Sequence, residues 1–145
     1  MWLMASKILL PFDGSKCSVR AAKYVADMMS GDAGIHCLVL FVLPFTRDLA
    51  RFLGVSGDDY DLNLAKLAGR IKWQVNNIFN LRGLKVPIII LEGDPLKVIC
   101  EVAKREECKE IVIGSRGHTG IKKIMLGSLA GKISKKASCP VRIIK

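Results

Sequence analysis

Residues 111–128 read Ile-Val-Ile-Gly-Ser-Arg-Gly-His-Thr-Gly-Ile-Lys-Lys-Ile-Met-Leu-Gly-Ser. A β-branched apolar triplet breaks into glycine, passes through a basic loop, and closes on Gly-Ser where a helical pattern begins. Ile111-Val112-Ile113 predicts a buried strand, and Ser128 to Ala137 predicts a helix. A strand that feeds a helix through a glycine-rich loop puts that loop at the carboxyl edge of a parallel sheet, where open α/β sheets take their ligands.

The chain on either side repeats the alternation. Lys7 to Phe12 is a short apolar run read as a strand. After Asp13-Gly14-Ser15, the positions Val19, Ala22, Ala26 and Met29 recur at helical spacing, with Ser15 or Ser18 as cap and a stop near Ser30-Gly31. Ile35 to Leu43 is a second strand, apolar on both faces and ending at Pro44. Residues 46–61, with Gly54, Gly57 and several aspartates, predict a mobile loop with a helical turn at its start. Leu64, Leu67, Ile71, Val75 and Ile78 then mark a long helix from about Asp59 to Leu81, despite Gly69. Leu84 to Leu91 is a third strand, which Pro87 places at a sheet edge or a bulge. Asp94-Pro95 opens a helix to about Glu106, and Val141 to Ile144 is a last strand. Five strands alternating with four principal helices, with no break in composition, predict one α/β domain over residues 1–145: a parallel sheet with helices on both faces, three layers in all.

Bulk properties narrow the function. The 145 residues suit one domain, and half of them are hydrophobic, so the core needs no staple. No apolar run approaches the roughly 20 residues that span a bilayer, and the amino terminus lacks the basic region of a signal peptide. Cys17, Cys37, Cys100, Cys108 and Cys139 form no paired spacing, which argues against zinc or a disulfide framework and for a reducing, cytoplasmic setting. Cys37 and Cys100 are expected to act as buried hydrophobes. The net charge of +10 suits a phosphate ligand or a solvated basic surface. Aromatic residues are only 6%, and no basic stretch is interleaved with stacking rings, so a nucleic-acid reader is not supported.

Glycines in the 114–127 loop remove side chains that would keep backbone N–H groups from phosphate oxygens. A helix starting at Ser128 adds donors and partial positive charge, and Arg116, Lys122 and Lys123 add cations. Gly127-Ser-Leu-Ala-Gly131-Lys132 is one residue too short for a P-loop, and Ile133 stands where Ser or Thr would hold magnesium. No G-x-G-x-x-G follows the first strand.

The spacing G-x-x-G-x9-G-[ST], met by Gly114, Gly117, Gly127 and Ser128, resembles the ATP-binding signature of the universal stress protein family. The opening strand with Asp13-Gly14-Ser15, Gly93-Asp94-Pro95 and Cys139-Pro140-Val141 resemble further landmarks of that family in the same order. The resemblance implies a five-stranded parallel sheet of order 3-2-1-4-5, Rossmann-like and of the adenine nucleotide alpha hydrolase type. It also implies a stress-response protein acting as a homodimer, paired through Val141 to Ile144. By the same resemblance Pro11 and Asp13 face the adenosine, the backbone of Val42 contacts adenine, and Ile113 and Gly114 line the base and ribose. Arg116, Gly117, Gly127, Ser128 and Leu129 surround the phosphates. Phe41 departs from the histidine common in relatives. Taken as residues alone, Asp13 serves equally well to order its turn. His118 then reads as a solvent-facing loop residue, and His36 as filler.

Phosphoryl transfer needs a positioned nucleophile and usually a carboxylate or hydroxyl on magnesium. Residues 114–127 contain no Asp or Glu, so the sequence favours ATP binding and a regulatory switch over turnover, with Mg2+ entering on the nucleotide. The other readings are a slow ATPase or autokinase using the same pocket, and a nucleotide-free interaction module.

Overall fold

The computed structural model describes residues 6–115 and 128–145. Ten elements follow one another: β1 (Ser6–Pro11), α1 (Lys16–Gly31), β2 (Ile35–Leu43), α2 (Arg47–Phe52), α3 (Gly57–Asn80), β3 (Ile88–Glu92), α4 (Pro95–Arg105), β4 (Glu110–Gly114), α5 (Ser128–Lys136) and β5 (Val141–Ile144). All four strand pairings are parallel, and the sheet runs β3-β2-β1-β4-β5. The order implied by the sequence resemblance is the order found.

Alternate side chains of the strands divide the core in two. Ile8, Leu10, Val39 and Phe41 point to the face covered by α1 and α3, where they meet Val25, Ile71, Val75 and Phe79. Leu9, Leu40, Ile111 and Ile113 point to the opposite face, under Ile99, Val102 and Ile133 of α4 and α5. Burial on both faces is why these strands read as unbroken apolar runs rather than alternating ones.

The helix starts obey their caps. Ser15 accepts from the Ser18 N–H at 3.2 Å and Asp94 from the Lys97 N–H at 3.1 Å. Two boundaries differ from the sequence expectation. Residues 46–61 are largely helical rather than loop. Thr46 caps α2 by accepting from the Leu49 N–H at 3.2 Å, and Ser56 caps α3 by accepting from the Asp59 N–H at 3.1 Å. Gly54 and Gly57 suggested a loop, but they punctuate two helices: the Gly54 N–H closes α2 onto the Arg51 carbonyl at 3.1 Å, and Gly57 is the first residue of α3. Likewise β3 starts at Ile88, not Leu84, because the Gly83 and Leu84 N–H groups terminate α3 by donating to Asn80 and Phe79 carbonyls. Pro87 sits just before β3, an edge strand, as its missing N–H requires, and its carbonyl accepts from the Val39 N–H at 3.0 Å.

Among the described glycines, the one with least room for a side chain lies where α1 meets β4. A Cβ on Gly114 would lie 2.6 Å from the carbonyl carbon of Cys17, 2.7 Å from its oxygen and 2.8 Å from the Ser18 nitrogen. These are backbone atoms of the first turn of α1, which cannot swing aside. Gly114→Ala is therefore expected to push α1 off the sheet and destabilise the fold by at least about 1–3 kcal/mol, as overpacking does. A drop in the urea midpoint with an unchanged m-value would show it.

All five cysteines are free. Cys37 is buried as expected, Cys100 is only half-buried, and Cys108 is the second thiol in the core. Burial pushes Cys37 up to about 12, helped by nearby Cys108, and pushes Cys108 up to about 11 against the opposing pull of Lys7. Folding thus favours the protonated thiols. Their contribution is fully present below the ordinary thiol range near pH 9 and is lost as pH rises through 11 to 12. The urea midpoint should fall across that window, and Cys37→Ala should flatten the fall.

Candidate functional site

In the order β3-β2-β1-β4-β5 the chain steps outward from β1 on one side, then returns to β4 on the other. The crevice lies where these connections diverge, at the carboxyl ends of β1 and β4. Four stretches of the described chain converge on it: the turn after β1, the last residues of β2, the end of β4 and the start of α5.

The turn after β1 is fixed by its own side chains. Asp13 Oδ1 accepts from the Ser15 N–H at 2.9 Å, folding the backbone back on itself before α1 starts. Gly14, at φ +84°, takes a conformation that L side chains rarely adopt, and a Cβ there would sit 2.8 Å from Gln74 Oε1 of α3. That Gln74 oxygen is buried with no hydrogen-bond partner among the described residues. Ser18 is buried, and its hydroxyl donates to the Ser15 carbonyl at 2.9 Å. Asp13 thus orders the turn, and the same turn leaves its carboxyl group half-buried at the crevice. Pro11 is buried as the last residue of β1, opposite Leu40.

Val42 owes its place to hydrogen-bond parity. In a parallel strand, the N–H and C=O of one residue point to one neighbour and those of the next residue to the other. Leu40 faces β1, since its carbonyl accepts from the Phe12 N–H at 2.9 Å, whereas Leu43 faces β3, accepting from the Gly93 N–H at 3.0 Å. Val42, two residues past Leu40, again faces the β1 side. The β1–β2 register ends at Pro11 opposite Leu40, so the Val42 N–H and C=O lie past the last rung, at the mouth of the crevice. One donor and one acceptor side by side on a strand edge match the hydrogen-bonding edge of a purine base.

On the β4 side, Ile113 is buried in the layer under α4 and α5, and Gly114 lies against the first turn of α1. Its missing side chain is thus demanded by helix packing, a role the sequence reading did not give it. Ser115 is buried; its N–H donates to the Ile144 carbonyl at 2.9 Å and its hydroxyl to Cys17 Sγ at 3.6 Å. These bonds fix the direction in which the chain leaves β4. α5 starts from the same edge and carries the chain to the opposite end of the sheet, where β5 begins, with Leu129 packed half-buried against the core. Arg116, Gly117 and Gly127 lie outside the described residues, as do His118, Lys122 and Lys123. Ser128 is the first residue of α5. Pro11, Asp13, Val42, Ile113 and Gly114 all belong to one sheet edge, with Leu129 on the helix that starts from it. Sequence reasoning missed Gln74, whose polar side chain sits in an otherwise helical pattern with no motif around it; Ser18, a cap candidate in sequence, and Ser115, inside the glycine-rich loop, are both buried.

Comparison with known proteins agrees with this architecture. The profile of the universal stress protein family matches residues 4–145. Universal stress protein MJ0531 of Methanocaldococcus jannaschii is 32% identical over 144 residues, covering 96% of this chain and 81% of that protein. Universal stress protein MJ0577 of the same organism is 32% identical over 159 residues, covering 100% and 98%. The solved MJ0577 structure superposes with a TM-score of 0.74 at 29% identity, over 98% of this chain and 96% of that one. An Arabidopsis thaliana universal stress protein family structure with AMP bound has the same fold, with a TM-score of 0.70 over 97% of this chain and 91% of that one, at 23% identity. Sequence, sheet order and profile coincide along nearly the whole length, and the chain belongs to the universal stress protein family.

Proposed function

We propose that this protein binds ATP at the carboxyl edge between β1 and β4 and acts as a nucleotide-dependent regulator, as a homodimer. The observation that carries the proposal is the Val42 backbone edge, set beyond the end of β1 and beside the Asp13 turn. In this reading adenine pairs with the Val42 N–H and C=O, while Asp13 takes a ribose hydroxyl or the base and Pro11 and Ile113 close on the nucleoside. The phosphates run to the G-x-x-G-x9-G-[ST] loop, where Arg116, Gly117, Gly127 and Leu129 surround them and Ser128 heads α5. The same fold holding AMP in the Arabidopsis protein supports an adenine nucleotide as the ligand class. Among the described residues no group of three or more His, Cys, Asp or Glu side chains is placed to hold a metal. Magnesium would come with the nucleotide and be held by phosphate oxygens and water.

Calorimetric titration should show ATP bound in preference to GTP, with binding abolished by Gly127→Val, whose side chain intrudes on the phosphates. Asp13→Asn keeps the oxygen that the Ser15 N–H needs but removes the charge, so it should weaken ATP at least tenfold and leave the melting temperature unchanged. Equal affinity for both nucleotides would refute the adenine assignment. Steady phosphate release above the Gly127→Val background would favour the enzyme reading instead.

The dimer rests on β5, the sheet edge opposite β3. The Pro140 and Ile144 carbonyls accept from Ile111 and Ser115 on the β4 side, so by the same parity Val141 and Ile143 turn their N–H and C=O outward. Such an unpaired apolar edge invites a second copy. Ile143→Pro removes an outward donor without touching the β4 ladder. Light scattering should give twice the chain mass for the native protein and one chain mass for the variant.

A further inference from the structure

The outer side of the α1–α3 layer sets an exposed indole among basic side chains. We infer that this layer docks the protein on an anionic lipid bilayer, with Trp73 at the centre of the contact.

The helical repeat places the residues. At 100° per residue, Leu62 and Trp73 fall within about 20° of each other, on the side of α3 opposite buried Ile71, Val75 and Ile78. Leu62 is 55% exposed and Trp73 68%, and Leu81 at the end of the helix is 80% exposed. A large indole left in water on a helix midline needs a reason, since the core has ample apolar surface to offer it. Gly69, one turn before Trp73, is exposed and has nothing within 4 Å of a Cβ position, so bare surface lies beside the ring.

Cations flank that midline. Lys66 lies close to it, and Arg70 and Lys72 lie about 80° to either side by the same repeat; all three are exposed. From Asp61 to Glu92 the chain contains no acidic residue between them. α1, packed beside α3 on the same face, contributes exposed Lys16, Arg20 and Lys23. The single acid of α1, Asp27, is held by Arg82 Nε at 2.8 Å. Asp58 and Asp59 in the first turn of α3 put acids beside Leu62, so the basic field is the one around Trp73, made by Lys66, Arg70 and Lys72 with the cations of α1. That combination seats a protein in the headgroup region: tryptophan prefers that depth, and lysine and arginine stems bend outward to lipid phosphates. Contact stays at the surface, because no helix among the described residues is long and apolar enough to cross a membrane.

Other occupants fit less well. A second copy pairing through the same layer would set one basic surface against another. A nucleic acid satisfies the charge but leaves Leu62 and Leu81 against phosphates, whereas a bilayer takes both charge and apolar groups.

The test uses the full chain with Trp2→Phe, which leaves Trp73 as the sole indole of the two in the sequence. Equimolar phosphatidylglycerol–phosphatidylcholine vesicles should co-sediment the protein and shift Trp73 emission to shorter wavelength. Pure phosphatidylcholine vesicles should do neither. The Lys66→Glu, Lys72→Glu double variant, changed only at exposed positions and checked for a native melting temperature, should lose at least about tenfold in partitioning. Equal binding to both vesicle types, no binding to either, or retention of full binding by the double variant would overturn the inference. So would Trp73 emission that responds to an oligonucleotide but not to vesicles.

Discussion

The contact on which the structure turns is backbone against backbone: the first turn of α1 resting on Gly114 at the end of β4, with no side chain between them. It joins the two central strands of the sheet through the helix that follows one of them. Because α1 is held so close, the Asp13–Ser15 turn that launches it is drawn to the rim of β4, and Ser115 beyond Gly114 is drawn into contact with Cys17. The crevice between the diverging connections is thereby given its walls. A larger residue at 114 would separate them, so the first glycine of the G-x-x-G spacing serves the architecture.

A second constraint is the parity of the parallel ladder. Hydrogen bonds to β1 and β3 alternate along β2, and β1 stops before β2 does. The consequence is a donor and an acceptor at Val42 that sheet pairing does not consume. No side chain has to be positioned for this, which explains why Phe41 in place of histidine leaves the feature intact: Phe41 points into the α1–α3 core. A backbone edge of this kind depends on strand register rather than on a particular side chain.

Much of this was legible from the residues because several local signals agreed. Double-sided apolar runs gave the buried strands, Asp94-Pro95 gave a capped helix, and Pro87 pointed to an edge or a bulge, of which the edge is found. Glycine was where the signals parted. Gly54, Gly57 and Gly83 look alike in sequence, yet Gly57 begins a helix and the other two end one. What decides between these outcomes is a side-chain cap such as Ser56, or a carbonyl three residues back, and neither is a matter of composition. Asp13 lies in a motif that marks the end of the first strand, and Val42 near the end of an unbroken apolar run, so their positions in the fold were legible. Gln74 was not: its buried oxygen beside Gly14 results from α3 crossing the turn, a tertiary event with no local trace.

The central claim is that a strand edge past the end of β1 holds an adenine base. Amide chemical shifts of labelled protein during an ATP titration address it most directly. The account predicts that the Val42 amide moves strongly and saturates together with Gly14, while GTP at the same concentration leaves it in place. A Val42 amide that stays still when the protein is saturated with ATP would contradict it.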